Sequence, residues 1–189
     1  MKKLGIVGGM GPLAGCEFYR MLIEATPADC DQEHFDVLLS GHASIPDRTL
    51  AVESGDYAPL LAAIGEDLAL FEHSGMDLVS IPCNTSHTYY DELQNLTSIP
   101  IFSMVKNAVS ELKEKCGDRR VTLFSTRGTY ISEVYCKYAA AVGLDLRYPT
   151  EEDREEVMKA IYHVKSTQEV RVPWLDPLVD KYTRDSGLV

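Results

Sequence analysis

The cysteine at position 83 is the residue of this sequence best placed to do chemistry. It follows the apolar run 78–81 and Pro82, and the polar residues Asn84 and Thr85 come next. We therefore place it where a strand ends and a helix begins, the position at which open α/β sheets bind ligands. A helix N-terminus also favours the thiolate, which can serve as base, acid or nucleophile. Cys83 is predicted to be catalytic, with Asn84 and Thr85 orienting a substrate or merely capping the helix.

Arg48 is the cation that could hold an acidic ligand. It lies in the segment 44–49, SIPDRT, which we predict to be a loop at the carboxyl edge of the sheet. A guanidinium binds a carboxylate through two parallel hydrogen bonds, so this residue suits a diacid. The alternative interpretation is a surface ion pair with Asp47 or Glu53, which contributes little to stability.

Two further turns could bind an anion. The first, GGMGP at 8–12, follows a buried strand, and its glycines would let the backbone approach a ligand at the start of a helix. It lacks the GxGxxG spacing of a dinucleotide site. The second, STRGT at 125–129, offers hydroxyl and N–H groups to a carboxylate. An ordinary tight or capped turn is the alternative for each.

The elements that must position these residues follow an α/β pattern. Apolar runs of strand type alternate with segments of helical periodicity, which predicts largely parallel sheets. The pattern starts again near residue 103, so we expect two lobes, 1–102 with the C-terminal segment 172–189, and 103–171. The predicted strands are 4–7, 35–40, 77–81, 99–102, 121–124 and 144–146. The predicted helices are 11–25, 57–73, 85–96, 105–115, 130–141, 151–164 and 178–183.

Composition narrows the classes of partner. The net charge of -11, without any cluster of basic residues, argues against nucleic acid or an anionic membrane as partner. The sequence shows no signal peptide and no apolar run of about 20 residues, so we expect a cytoplasmic protein. Five cysteines without CxxC pairing and five scattered histidines predict neither a disulfide framework nor a metal site.

Taken in order, GGMGP, PDRT, CNT and TRGT resemble the motifs of the aspartate racemase branch of the aspartate/glutamate racemase family. The resemblance runs from residue 3 to about 165 and resumes at the segment 172–177, VPWLDP. It implies two similar α/β lobes with the active site in the cleft between them, usually in a dimer. It also implies a small acidic amino-acid substrate and no cofactor, so we expect a homodimer that works without one.

The resemblance also implies residue roles. Cys83 is the first catalytic thiol, Arg48 binds the side-chain carboxylate of the substrate, and Lys165 is a second cationic contact. The other residues implied to line the pocket are Met10, Asn84, Thr85, Thr126, Arg127, Gly128 and Thr129. Racemisation needs a thiolate that removes the Cα proton from one face and a thiol that returns one to the other. Donors must also stabilise the charge that develops on the α-carboxylate.

The sequence departs from the family at the second catalytic cysteine. That residue normally follows a further helix and strand, in a Gly-Cys-Thr-Glu turn. Here only residues 166–171 separate Lys165 from Val172, whereas a helix and a strand take roughly 20 to 30 residues. The second lobe is therefore predicted to be shortened. Cys116 and Cys136 are predicted to be structural, and Cys16 is not predicted to replace the thiol.

Two accounts of this gap remain open: a naturally shortened homologue, or a sequence that omits part of a longer protein. The second is favoured because a lost buried strand would expose sheet edges. The predicted function is racemisation of aspartate or glutamate by thiol proton transfer at Cα. One alternative is a single-cysteine lyase or isomerase of the same superfamily. The other is an inactive homologue that binds acidic metabolites.

Overall fold

The computed structural model describes residues 2–186 and divides the chain into two compact units, 1–104 and 105–189. Within the described residues, the first unit contains a four-stranded parallel sheet with the strand order β2-β1-β3-β4. Its strands are β1 Lys3–Val7, β2 Asp36–Ser40, β3 Leu78–Ser80 and β4 Ile101–Phe102. Its helices are α1 Pro12–Ala25, α2 Arg48–Ser54, α3 Ala58–His73 and α4 Tyr90–Gln94. The α/β prediction with parallel sheets is confirmed.

The core of this unit is built by α3 packing on the sheet. Buried side chains of α3 recur at helical spacing, at Leu60, Ile64, Leu68 and Phe71. The Phe71 ring lies so close to β1 that a Cβ at Gly5 would be 2.6 Å from its Cδ2 atom. The missing side chain at Gly5 therefore sets how closely this helix approaches the central strand.

The second unit is built around a short parallel pair, β5 Val121–Thr122 and β6 Leu146–Arg147. Its helices are α5 Met104–Cys116, α6 Arg127–Ser132, α7 Val134–Val142, α8 Glu151–Thr167 and α9 Asp176–Ser186. Helix α5 begins at the last residue of the first unit. The single helix predicted over 130–141 is instead two helices, because Glu133 adopts a left-handed conformation with φ 51° between them. None of the helices described combines the length and apolar character that a bilayer span requires.

The C-terminal segment packs within the second unit, which differs from the sequence-based assignment to the first lobe. The Asp153 carboxylate at the start of α8 accepts hydrogen bonds from Lys181 Nζ at 2.7 Å and from Tyr182 Oη at 2.5 Å. The Tyr182 ring also packs edge-on against Phe124, with ring centroids 5.7 Å apart. These contacts hold α9 beside α8 and the end of β5; residues 187–189 of the predicted segment lie outside the described residues.

Candidate active site

The first unit brings three predicted segments to one edge of its sheet. Segments 8–11, 41–47 and 81–86 follow β1, β2 and β3, and β1 lies between the other two strands. Parallel strands end at the same edge, so Met10, Arg48 and Cys83 belong to neighbouring connections there. The segment around Arg48 was predicted to be a loop, but Arg48 is the first residue of α2.

Cys83 occupies a tight turn directly after β3. Its side chain is largely shielded, with the residue 8% exposed, and its N–H donates to the Ile81 carbonyl at 2.7 Å. The chain then forms a single 3-10 segment, Thr85–Tyr89, before α4 starts, rather than the continuous helix predicted over 85–96. So short a segment aligns few peptide dipoles. Asn84 is exposed and Thr85 is buried.

His87 supports the Cys83 turn and was not identified from the sequence. Its Nδ1 lies 3.0 Å from the Cys83 carbonyl, which can only accept, so Nδ1 carries the proton. Its Nε2 accepts the Met104 N–H at 3.3 Å. Burial lowers the pKa of His87 below its ordinary value, consistent with this neutral form. The ring therefore joins the Cys83 turn to the end of β4; the four-residue spacing from Cys83 was its only signal in the sequence.

The glycine turn after β1 is shaped by its neighbours on both sides. Gly8 N–H donates to the Ser40 carbonyl at 2.7 Å. Gly9 has φ 88°, and a Cβ there would lie 2.3 Å from the carbonyl oxygen of His42. Met10 is buried, and its sulfur accepts the Ser86 hydroxyl at 3.4 Å. These contacts place the predicted Met10 against the connection that contains Cys83.

Arg48 is held by main-chain carbonyls. Its Nη1 lies 3.1 Å from the Pro46 oxygen and 3.4 Å from the Ile45 oxygen, and the side chain is partly exposed. Asp47 faces the helix instead, where its Oδ1 accepts the Leu50 N–H at 2.9 Å as an N-terminal cap. The structure thus gives Asp47 a capping role in place of the ion pair with Arg48 considered from the sequence.

The predicted residues of the second unit form a capped turn. Thr126 is the N-cap of α6: its Oγ1 accepts the Thr129 N–H at 3.3 Å and lies 3.1 Å from the Thr129 hydroxyl. Gly128 and Thr129 are buried. Arg127 is exposed, and its Nη2 pairs with Glu155 at 3.4 Å. The capping alternative is therefore realised at Thr126.

Lys165 lies in the last turn of α8, also in the second unit. Its Nζ is 5.3 Å from the centroid of the Tyr162 ring, a cation–π contact at the surface. The other four thiols lie elsewhere. Cys16 is exposed on α1, Cys30 is also exposed, Cys116 ends α5, and Cys136 on α7 contacts the Tyr148 hydroxyl at 2.9 Å. The structure therefore brings Met10, Arg48, Cys83, Asn84 and Thr85 to one sheet edge. The other predicted residues, Thr126, Arg127, Gly128, Thr129 and Lys165, belong to the second unit.

Comparison with known proteins identifies relatives that match most of the chain. The family model described as Asp/Glu/Hydantoin racemase matches residues 7–185. The broad specificity amino-acid racemase RacX of Bacillus subtilis (strain 168) is 26% identical over 149 residues, covering 76% of this chain and 63% of that protein. The chain thus spans less than two thirds of the length of this curated relative.

Solved structures with the same fold include racemases for both acidic amino acids. Picrophilus torridus aspartate racemase superposes with a TM-score of 0.85 at 30% identity, over 98% of this chain and 78% of that chain. An aspartate racemase homologue from Pyrococcus horikoshii OT3 gives a TM-score of 0.74 at 24% identity, over 98% of this chain and 81% of that one. Glutamate racemase from Aquifex pyrophilus gives 0.60 at 18% identity, over 100% and 79%. At 24% and 18% identity, the similarities to the Pyrococcus horikoshii and Aquifex pyrophilus proteins show a shared fold.

Proposed function

We propose that this chain, which belongs to the Asp/Glu/Hydantoin racemase family, acts on aspartate or glutamate by proton transfer at Cα. Cys83 is the transferring thiol in this proposal. The observation that carries it is the position of Cys83 and Arg48 in connections at the same carboxyl edge of one parallel sheet. A thiol and a cation at such an edge match the needs of a diacid substrate.

Each group has a distinct task. The Cys83 thiolate takes the Cα proton and becomes a thiol, while the electron pair left on carbon spreads into the α-carboxylate. Because Cys83 is largely shielded from water, charge developing near it interacts strongly with fixed donors. Arg48 binds the side-chain carboxylate of the substrate, which fixes the Cα–H bond toward the sulfur. Neither task requires a cofactor.

The remaining predicted residues are proposed as substrate contacts. Those of the first unit are Met10, Asn84 and Thr85. Those of the second unit are Thr126, Arg127, Gly128, Thr129 and Lys165. A homodimer is proposed by analogy with the family that the motifs resemble, and a sedimentation measurement giving the single-chain mass of 21.0 kDa would contradict it.

Two outcomes follow from how a proton is returned to Cα. Cys83 serves one face of Cα, and inversion requires an acid on the other face, which the family supplies from a Gly-Cys-Thr-Glu turn. This sequence contains no such turn. If Cys83 acts without a second acid, the Cα proton exchanges with solvent faster than the D-isomer forms. If a second acid completes the site, exchange and inversion proceed together.

The missing turn is also the observation that favours a second candidate, a single-cysteine lyase or isomerase of the same superfamily. Such an enzyme would convert a diacid that carries no amino group and would leave the Cα proton of aspartate unexchanged. Incubation with maleate, followed by proton NMR of the products, distinguishes it. Turnover of maleate without turnover of either aspartate or glutamate would replace the racemase proposal with this one.

Chiral chromatography of L-aspartate and L-glutamate incubations tests the leading proposal. We expect the D-isomer with the parent protein and a rate at least about 100-fold lower with Cys83→Ser, because a general base or acid contributes on that order. Cys116→Ser is the matched control, since Cys116 is equally buried but ends α5. A Cys83→Ser protein that keeps the parent rate would contradict the role of this thiol.

A further inference from the structure

A buried carboxylate lies behind the candidate active site, in the middle of α3. Asp67 is only 5% exposed, and each of its oxygens has a partner. The Ser40 hydroxyl donates to Oδ1 at 2.5 Å, and His42 Nδ1 lies 2.9 Å from Oδ2. A carboxylate only accepts, so His42 Nδ1 carries a proton. Both donors come from the end of β2 and the connection that follows it.

From these two donors, hydrogen bonds continue into the site. The carbonyl of Ser40 accepts the Gly8 N–H at 2.7 Å. The carbonyl of His42 accepts the Ile45 N–H at 3.4 Å, and the carbonyl of Ile45 in turn lies 3.4 Å from Arg48 Nη1. One branch therefore ends at the glycine turn and the other at the guanidinium.

The glycine turn and the His42 connection are also in steric contact. A Cβ at Gly9 would lie 2.3 Å from the His42 carbonyl oxygen and 2.7 Å from the Ala43 nitrogen. The main chain at His42 cannot shift toward β1 without moving Gly9. Fixing the His42 side chain therefore fixes two connections of the sheet edge together.

We propose that Asp67 is a positioning residue, which through Ser40 and His42 sets both the Gly8–Gly9 turn and the connection that presents Arg48. The inference rests on the proposed function, because Arg48 matters through the carboxylate it binds. The two carboxylate oxygens each accept one hydrogen bond, from Ser40 and from His42. An alanine at this position removes both acceptors, so α3 no longer holds the Ser40 hydroxyl or the His42 ring.

Hydrogen–deuterium exchange of the backbone tests the structural half of this inference. In Asp67→Ala, which removes both acceptors, we expect segments 8–11 and 41–47 to exchange about tenfold faster or more, since both lose their anchor. The matched control is Ile64→Val, a change at a fully buried position of the same helix that leaves the carboxylate intact. Equal exchange of these segments in the two variants would overturn the proposal. Ser40→Ala, which removes one donor, provides a milder variant expected to loosen segment 8–11.

A double-mutant cycle on the affinity for L-aspartate tests the functional half. Asp67→Ala should weaken binding about tenfold in the parent but less than about twofold in an Arg48→Lys background, because both changes act on the same contact. Equal losses in the two backgrounds would overturn the link to Arg48. A parent that neither binds nor racemises aspartate or glutamate would refute the proposed function, while the exchange measurement would still decide the role of Asp67.

Discussion

The position of the Arg48 side chain is set by main-chain carbonyls of the connection that precedes it. Nη1 is oriented by the Ile45 and Pro46 carbonyls, and a lysine cannot reproduce both that fork and a bidentate grip on a carboxylate. Arg48→Lys is therefore expected to raise KM for aspartate by about tenfold, with the melting temperature nearly unchanged. Steady-state kinetics measure this change.

The control for that substitution is Arg119→Lys in the second unit. Arg119 is likewise bound to two main-chain carbonyls, those of Cys116 and Lys115, at 3.3 and 3.2 Å. The Arg119→Lys substitution should leave KM for aspartate at the parent value. A common effect of both substitutions, or none from Arg48→Lys, would argue against a substrate contact at Arg48.

His87 predicts a pH dependence of stability. Its pKa is lowered from 6.5 by burial, so below that pH the unfolded chain binds more protons at this residue than the native chain. The free energy of unfolding should therefore be highest above about pH 6.5 and fall as the solution is acidified. Urea unfolding of the parent and of His87→Gln between about pH 7.5 and 5.5 measures this dependence. The glutamine, which does not titrate, should flatten the slope; identical slopes would contradict a buried neutral imidazole.

At the scale of elements, the sequence predicted the parallel sheet well because buried parallel strands are nearly continuous apolar runs. It missed α2, since Pro46 and Asp47 read as loop residues although Asp47 is the cap that starts the helix. It also missed His87 and Asp67, whose roles arise from contacts made across the fold. Asp67 is 27 residues from Ser40 and 25 from His42, and no local pattern links them.

The glycine turn provides a prediction about backbone geometry. Gly9→Ala should lower the free energy of unfolding by about 3 kcal/mol or more, because the left-handed conformation and the contact with His42 both oppose a Cβ. Gly55→Ala is the matched control: its φ is 72° but nothing lies within 4 Å of the added atom. It should cost about 1 to 2 kcal/mol. Urea unfolding compares the two, and equal losses would mean that the approach of His42 does not constrain this turn.

Asp153 predicts how α9 is attached to the second unit. Hydrogen bonds from Lys181 and Tyr182 lower the pKa of this carboxylate to about 2, from 3.8. The stabilisation it provides is present above pH 3.8 and is lost as the pH falls toward 2. At neutral pH, Asp153→Asn should weaken this attachment and speed proteolytic cleavage within 176–186. Asp180→Asn, which removes only an exposed pair with Arg184 at 3.7 Å, should not; equal cleavage of both variants would contradict the anchoring role.

At the scale of the whole molecule, four short motifs in a fixed order predicted the family that the comparison then confirmed over residues 7–185. The placement of the C-terminal segment was not predictable in the same way. Its resemblance to the closing segment of the family suggested the first lobe, whereas Tyr182 packs on Phe124 in the second unit. A short amphipathic helix packs on whichever nearby apolar surface the other elements have not already covered. The sequence of the helix does not specify which surface that is.

Cys83 is proposed to remove the Cα proton of an acidic amino acid. The most direct measurement is incubation of L-aspartate with the protein in deuterated buffer, with α-deuterium followed by proton NMR or mass spectrometry. We predict deuterium at Cα with the parent and with Cys116→Ser, and none above background with Cys83→Ala. Exchange that persists in Cys83→Ala, or a parent that exchanges neither aspartate nor glutamate, would contradict this account.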